Sequence, residues 1–320
     1  MHQITVAICT YNNAAFLDRT LSTLALQEFE DDYWSALVVD NNSSDATEDI
    51  VQLHQHQGLI PHLRYCRESQ LGLAHARHRA VMETTSKLIA FVDDDCLLAP
   101  DWLRQAVAFS FTHPNAGAIG GRVQLLWESP PPHTALSRTT WYAEQNYGDV
   151  PQQLPSTGFT YLVGAGLVLR RTALKDSGWL EKRMLVGREG RGLGAGEDIE
   201  IVLRIRRAGY DLWYNPAMFL EHVIPERRTS IPYLCRMNRA TGQPLPMLHA
   251  LAEGKAPSTT MRLQRLVRSL LSLAKLCVRT LILDVVVRRR VSFADWRIRL
   301  NLAWGHVVGA AAFLFAHVEL

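Results

Sequence analysis

Four short apolar runs, each leading into a helical pattern, fill the first 92 residues, and this alternation narrows the fold more than any other feature. The runs span residues 4–9, 36–40, 63–66 and 87–92. After the first, Asn12 and Asn13 offer a helix cap, and Phe16, Leu17, Leu21 and Leu24 recur on one face. Asn41, Asn42, Ser43 and Ser44 form a turn-and-cap cluster before a helix from about Ala46. Residues 72–84 read as another helix, and Pro100 opens a further one at a favoured first-turn position. Strands alternating with helices predict βαβ units, hence an α/β fold with a doubly wound, mostly parallel sheet flanked by helices. In such sheets ligands bind beyond the carboxyl ends of the strands. Asp40 and the run Asp93, Asp94, Asp95 both fall at such ends, so one crevice is expected to gather them.

The rest of the chain divides by pattern. Residues 126–158 are rich in Pro, Ser and Thr and read as a connecting loop; residues 160–225 return to mixed strand and helix. Residues 229–320 are helical in pattern, which predicts a catalytic domain over 1–228 and a C-terminal helical region over 229–320. At 48% hydrophobic and 20% charged residues, the chain is globular in composition, and disordered and low-complexity classes are excluded. Five cysteines, without C-x-x-C spacing, argue against a disulfide framework and a cysteine zinc site and for a reducing, cytoplasmic compartment. Residues 1–3 carry no basic start, and the run 4–9 is short for a signal segment, so it is expected as a buried strand.

Three clusters carry chemistry. Asp93, Asp94 and Asp95 repel one another at a strand end, a cost that a hard divalent cation such as Mg²⁺ or Mn²⁺ would offset; a solvated acidic turn is the plainer reading. The glycine-rich stretch 192–196 runs into Glu197 and Asp198 at a helix start. A carboxylate there suits a general base under a closing loop, and equally suits simple capping. His222 can complete a metal shell or pack as an ordinary histidine, and Arg227 and Arg228 can grip a diphosphate. Arg77, between His75 and His78, reads by itself as an exposed helical arginine.

Taken in order, these residues resemble the family 2 glycosyltransferases, inverting nucleotide-sugar transferases of the GT-A fold. The resemblance covers about residues 3–228. It implies that Thr10, Tyr11 and Asn12 form the nucleotide-contacting turn, that Asp40 contacts the base, and that Arg77 lies near the nucleotide. Asp93 and Asp94 would sit on the ribose side and Asp95 on the metal, with His222 as a second metal ligand. Gly164, Ala165 and Gly166 would line the acceptor side. Asp198, with Glu197 as the alternative, would be the base. His78 departs from the family's usual asparagine. The implied partners are a nucleoside-diphosphate sugar, a hydroxyl acceptor such as a glycan or glycolipid, and Mn²⁺ or Mg²⁺. A sugar nucleotidyltransferase would want a Gly/Lys-rich phosphate loop after the first strand, which Thr10-Tyr11-Asn12-Asn13 is not. A non-catalytic binding module on the same fold is the other alternative; the intact Asp95, Asp198 and His222 speak against it.

The net charge of +3 conceals an asymmetry: residues 261–300 hold 10 Lys and Arg against 2 Asp and Glu. A basic, apolar arm on a mildly acidic body points to an anionic partner. It lacks the interleaved aromatics of a nucleic-acid surface, which leaves a membrane face. Arg262, Arg265, Arg268, Lys275, Arg279, Arg288, Arg289 and Arg290 alternate with an apolar face that includes Leu266, Leu270, Leu273, Leu276 and Leu283. Residues 301–318 are almost wholly apolar and marginal in length for a span. Interfacial helices are one expectation; helices that cover the body or form a homodimer are the other.

Overall fold

Strands β1 (Ile4–Thr10) and β2 (Trp34–Asp40) are buried almost throughout, which is why their sequences read as unbroken apolar runs. The computed structural model describes residues 2–190, 192–254, 258–278, 280, 282 and 292–315. The expected Arg279, Leu283, Asp284, Arg288, Arg289, Arg290, His317 and Val318 lie outside them. Helix α1 (Ala14–Leu24) follows β1, and α2 (Thr47–Gln57) follows β2. Then come β3 (Leu63–Arg67), α3 (Leu73–Met82), β4 (Leu88–Asp93), β5 (Cys96–Leu98) and α4 (Trp102–Thr112).

Side chains alternate across the sheet with period two, and the core divides accordingly. Val6, Ile8, Val38 and Val92 pack under Leu17, Leu21 and Leu24 of α1 and Trp102 and Leu103 of α4. On the opposite face Ala7, Leu37, Val39 and Phe91 meet Ala76 and Ala80 of α3. The parallel register aligns Thr10 with Asp40 and Cys9 with Asp93. Three strands therefore end on one line.

The second half of the sheet is mixed. β6 (Ala116–Trp127), α5 (His133–Leu136), β7 (Gln152–Gln153), β8 (Leu167–Arg170), α6 (Arg171–Asp176), α7 (Glu197–Arg207) and β9 (Asp211–Ile224) complete the body. The strand order is β3-β2-β1-β4-β8-β6-β9-β5, with β7 beside β9. β8 is antiparallel to both neighbours, and β5 and β7 are antiparallel to β9. The parallel order runs where helices make the crossovers; β5 follows β4 across a two-residue turn, which cannot supply one. The segment read as a plain loop carries the end of β6, α5, a turn over Thr139–Tyr142 and β7. A bulge near Gly121 bends β6 against β9; a Cβ at Gly121 would lie 1.8 Å from the Met218 carbonyl oxygen.

Among the described residues there follow the helices α8 (Ile231–Gly242), α9 (Leu245–Glu253), α10 (Thr259–Lys275) and α11 (Phe293–Phe315). The Ser230 hydroxyl caps α8 and that of Ser258 caps α10. Tyr233, Leu234 and Ile298 join Leu125 and Ile224 of the sheet in one apolar cluster. α11 is long and apolar enough to cross a membrane by length and composition. Its Gly305 and Gly309 press on backbone: added Cβ atoms would stand 2.2 Å from the Arg239 carbonyl oxygen and 1.9 Å from that of Gln243. Close helix packing of this kind needs small residues at four-residue spacing.

Candidate functional site

The turns at the sheet's carboxyl edge are joined to one another by side chains. Asn12, at φ 49°, donates its N–H to the Ser43 hydroxyl (2.9 Å), and its Oδ1 accepts from Ser44 N (2.8 Å). Asp40 is 2% exposed; one oxygen accepts from Ser43 N (2.7 Å) and the other from the Tyr65 hydroxyl (2.7 Å). Both oxygens thus fix the turn after β2. Asn41 reaches across to Gln70 O (2.7 Å) and Gly72 N (2.7 Å) and ties that turn to the start of α3.

The three consecutive aspartates occupy the turn from β4 to β5, and each takes different partners. Asp93 faces Arg77 (3.5 Å). Asp94 accepts from the Thr10 hydroxyl (2.6 Å) and from Asn13 Nδ2 (2.8 Å). Burial, and then the neighbouring Asp95 charge, push the Asp94 carboxyl up to about 7. Asp95 faces His222 Nε2 (3.1 Å) and accepts from Arg228 Nη1 (2.8 Å). Burial opposes its ionisation, but those two cations outweigh burial and hold Asp95 far below the usual carboxylate range. His222 Nδ1 donates to the Tyr142 carbonyl (2.7 Å), which leaves Nε2 pointing at Asp95.

A second group meets the first through Arg77. Its buried guanidinium lies 3.1 Å from Glu197 Oε1 and stacks over the Phe91 ring at 5.4 Å. Burial lifts Glu197 to about 7 against the pull of Arg77, and its Oε2 has no hydrogen-bond partner among the described residues. Asp198 is half-buried; Oδ2 accepts from Gly164 N (2.8 Å) and Oδ1 from Ile199 N (2.8 Å). A Cβ at Gly164 would stand 2.5 Å from Arg77 Nη2 and 3.2 Å from Asp198. A side chain there would have to push aside the Arg77 guanidinium, which Asp93 and Glu197 hold, so the position favours glycine.

Several expected residues take other places. Arg77 is buried, not exposed, because its charge is shared between Asp93 and Glu197. Ala165 and Gly166 sit in the core, where a Cβ at Gly166 would strike Leu220 at 2.5 Å; of the three acceptor-side positions Gly164 alone touches the site. Arg228 turns inward to Asp95, whereas its neighbour Arg227 lies over the Phe16 ring (5.6 Å) and lines an outer cavity of about 590 Å³. Thr10's hydroxyl, Asn13 and the Tyr142 carbonyl gained roles only by tertiary placement. The loop before α7, read from its glycines alone as one that closes, is tied to α3 and α7 upstream of them. Val186 O and Arg188 O accept from Ala74 N and Leu73 N, while Glu200 anchors Met184 N and Leu185 N.

His222 Nε2 and Asp95 Oδ1, 3.1 Å apart as an ion pair, are a nitrogen and an oxygen donor of the kinds that ligate divalent cations. The Tyr142 contact is the outer hydrogen bond a ligating imidazole needs. Among the described residues no group of three His, Cys, Asp or Glu side chains forms a complete cage. Substrate phosphates and water are the customary remainder for such an ion.

The profile of glycosyl transferase family 2 matches residues 5–178, more than half of the chain. The chain belongs to glycosyl transferase family 2. Its relatives include a glucosyl-dolichyl phosphate glucuronosyltransferase of Haloferax volcanii, 23% identical over 239 residues, covering 72% of each chain. The succinoglycan biosynthesis protein ExoM of Rhizobium meliloti is 24% identical, over 75% of this chain and 73% of its own. In fold, this family 2 glycosyltransferase is similar to the mannosyltransferase PcManGT of Pyrobaculum calidifontis, solved with GDP-Man and Mn²⁺. The TM-score is 0.65 at 19% identity, over 98% of this chain and 87% of that one. TarS 1–349 of S. aureus, solved with UDP-GlcNAc, gives 0.56 at 14% identity, over 98% and 90%. These structures share a mixed sheet flanked by helices, the GT-A architecture that the resemblance implies.

Proposed function

We propose that this glycosyltransferase moves a sugar from a nucleoside diphosphate to an acceptor hydroxyl with inversion, in glycoconjugate or polysaccharide synthesis. The observation that carries the reading is the meeting of Asp198, Arg77 and Gly164 beside the aspartate turn. Asp198 takes the acceptor proton as the hydroxyl attacks the anomeric carbon from the face opposite the diphosphate. Gly164 N–H holds one carboxylate oxygen of Asp198 and so fixes its direction. Glu197 does not face the acceptor in this scheme; it positions Arg77. The turns carrying Thr10, Tyr11, Asn12 and Asp40 form the nucleotide side, with Asp93 and Asp94 toward the ribose.

Asp95 and His222 would hold Mn²⁺ or Mg²⁺, which when bound supplies positive charge to the leaving diphosphate. Arg228, already at this carboxylate, adds a guanidinium on the same side, and Arg227 lies further out. Direct displacement needs no enzyme nucleophile, and the cysteines near this edge do not suit one: Cys9 is half-buried, Cys96 is buried, and desolvation pushes both thiols upward. The test is Asp198→Asn. Transfer is expected to fall about 10²–10⁴-fold, the usual worth of a general base. Nucleoside diphosphate affinity should stay within about twofold, since the carboxylate lies on the acceptor side. Transfer at the parent rate would remove Asp198 as the base.

A further inference from the structure

α10 has no buried side chain along its length, although its apolar and polar residues are the most sharply segregated of any described helix. Leu263, Val267, Leu270, Leu271 and, beyond the helix, Val278 are 46–65% exposed. Their spacing puts them on one face. The helix is held to the body from its other side. Arg262 donates to Phe313 O (3.3 Å), and Arg265 donates to Pro246 O (2.7 Å) and pairs with Glu253 (2.6 Å). Trp296 Nε1 donates to Leu276 O, so α11 lies alongside in the opposite direction. Lys275 and Arg268, which also lines a cavity of about 450 Å³ against α9 and α11, border one edge of the apolar stripe, and residues 258–278 contain no acidic side chain.

We infer that this face of α10 docks on an anionic lipid bilayer. The exposed leucines and valines supply apolar area at headgroup depth, and Arg268 and Lys275 supply attraction to lipid phosphates, the two components of interfacial helix binding. A second copy of the chain fits less well. In a two-fold contact the patch meets itself, which sets Arg268 and Lys275 of one copy against the same cations of the other. The position also has a consequence for the transfer centre. Leu248 and Pro244 of the α9 region pack on Gly196, the residue before α7, where a Cβ would meet them at 2.9 and 3.2 Å. α9 therefore separates α10 from the start of the helix that bears Glu197 and Asp198. On the transferase reading above, this placement suits an acceptor carried on a lipid headgroup.

Flotation of the full chain tests the docking without reference to transfer. Vesicles of phosphatidylcholine alone are compared with phosphatidylcholine mixed with phosphatidylglycerol. Binding to the mixed vesicles should exceed that to neutral ones by about tenfold and fall as salt rises. V267E/L270E/L271E should lose about tenfold or more of it, and R268E/K275E should lose the dependence on phosphatidylglycerol. Melting temperature should stay within a few degrees and nucleoside diphosphate affinity unchanged in both variants, which separates lost docking from lost folding or a failed transferase reading. Inorganic phosphate at the headgroup concentration should not compete. Parental flotation by the triple variant, equal binding to both vesicle types, or release by inorganic phosphate would overturn the inference. So would a lipid-free dimer that the triple variant dissolves.

Discussion

The carboxyl edge of the sheet and the outer face of α10 are opposites. At the edge, Asp93, Asp94, Asp95, Arg77, Glu197, His222 and Arg228 are charged or titratable, largely buried, and bound to one another. On α10, apolar side chains stand exposed with nothing described against them. Each region departs from the usual distribution of polarity, in opposite senses. Buried charge persists only where partners answer it, so the edge is a self-consistent electrostatic unit whose partners are mostly internal. Exposed apolar area on a helix is answered, if at all, from outside. On the readings proposed above, the contrast separates a centre that does chemistry from a surface that chooses where it is done.

The largest expected break in this contrast is Asp95→Ala. It leaves the buried His222 and Arg228 without their anion, a loss of about 3–5 kcal/mol by the usual cost of breaking a buried pair. Urea unfolding at neutral pH measures it, and transfer should vanish as well. Next is Glu197→Gln. It keeps the shape but weakens the hold on Arg77. A modest fall in kcat with KM for the donor raised is expected, since Arg77 also answers Asp93.

Titration sharpens the same point by sign. Asp94 and Glu197 have folded values near 7, above their unfolded values of 3.8 and 4.5. The native state therefore binds more protons between those limits, and stability contributed by these groups falls as pH rises from about 4 to 7. Asp95 runs the other way: its folded value is depressed, so its contribution is full above the unfolded value of 3.8 and is lost on acidification below it. Melting temperature followed from pH 4 to 8 should show a shallower decline over pH 5–7 in Asp94→Asn and Glu197→Gln than in the parent chain. An unchanged slope would mean that these groups ionise normally in the native state. The smallest effect is on α10, where V267E/L270E/L271E should alter stability by about 0.5 kcal/mol or less per site, as for surface substitutions.

Much of this was legible in the chain itself. The alternation of apolar runs gave β1, β2, β3 and β4 and placed Asp40 and the aspartate run at strand ends, because parallel strands buried on both faces leave an unmistakable pattern. The acidic start of α7 was legible for a similar local reason. β8 was not, since antiparallel pairing between β4 and β6 depends on where a long segment returns, which no local pattern records. Arg77 reads by itself as an exposed helical arginine; its burial is answered by Glu197, 120 positions away. Arg227 and Arg228 are neighbours in sequence, yet the short turn Glu226–Thr229 sends them to different places. The preference for glycine at Gly164 is legible only once Arg77 and Asp198 are seen on either side of it.

Mn²⁺ titration followed by electron paramagnetic resonance, in the presence of a panel of nucleoside diphosphates, tests the central claim most directly. The account predicts Mn²⁺ capture that strengthens with the matching diphosphate, is abolished by Asp95→Ala and weakened by His222→Ala, and survives in Asp198→Asn. Capture that is indifferent to Asp95, or that disappears with Asp198, would contradict it.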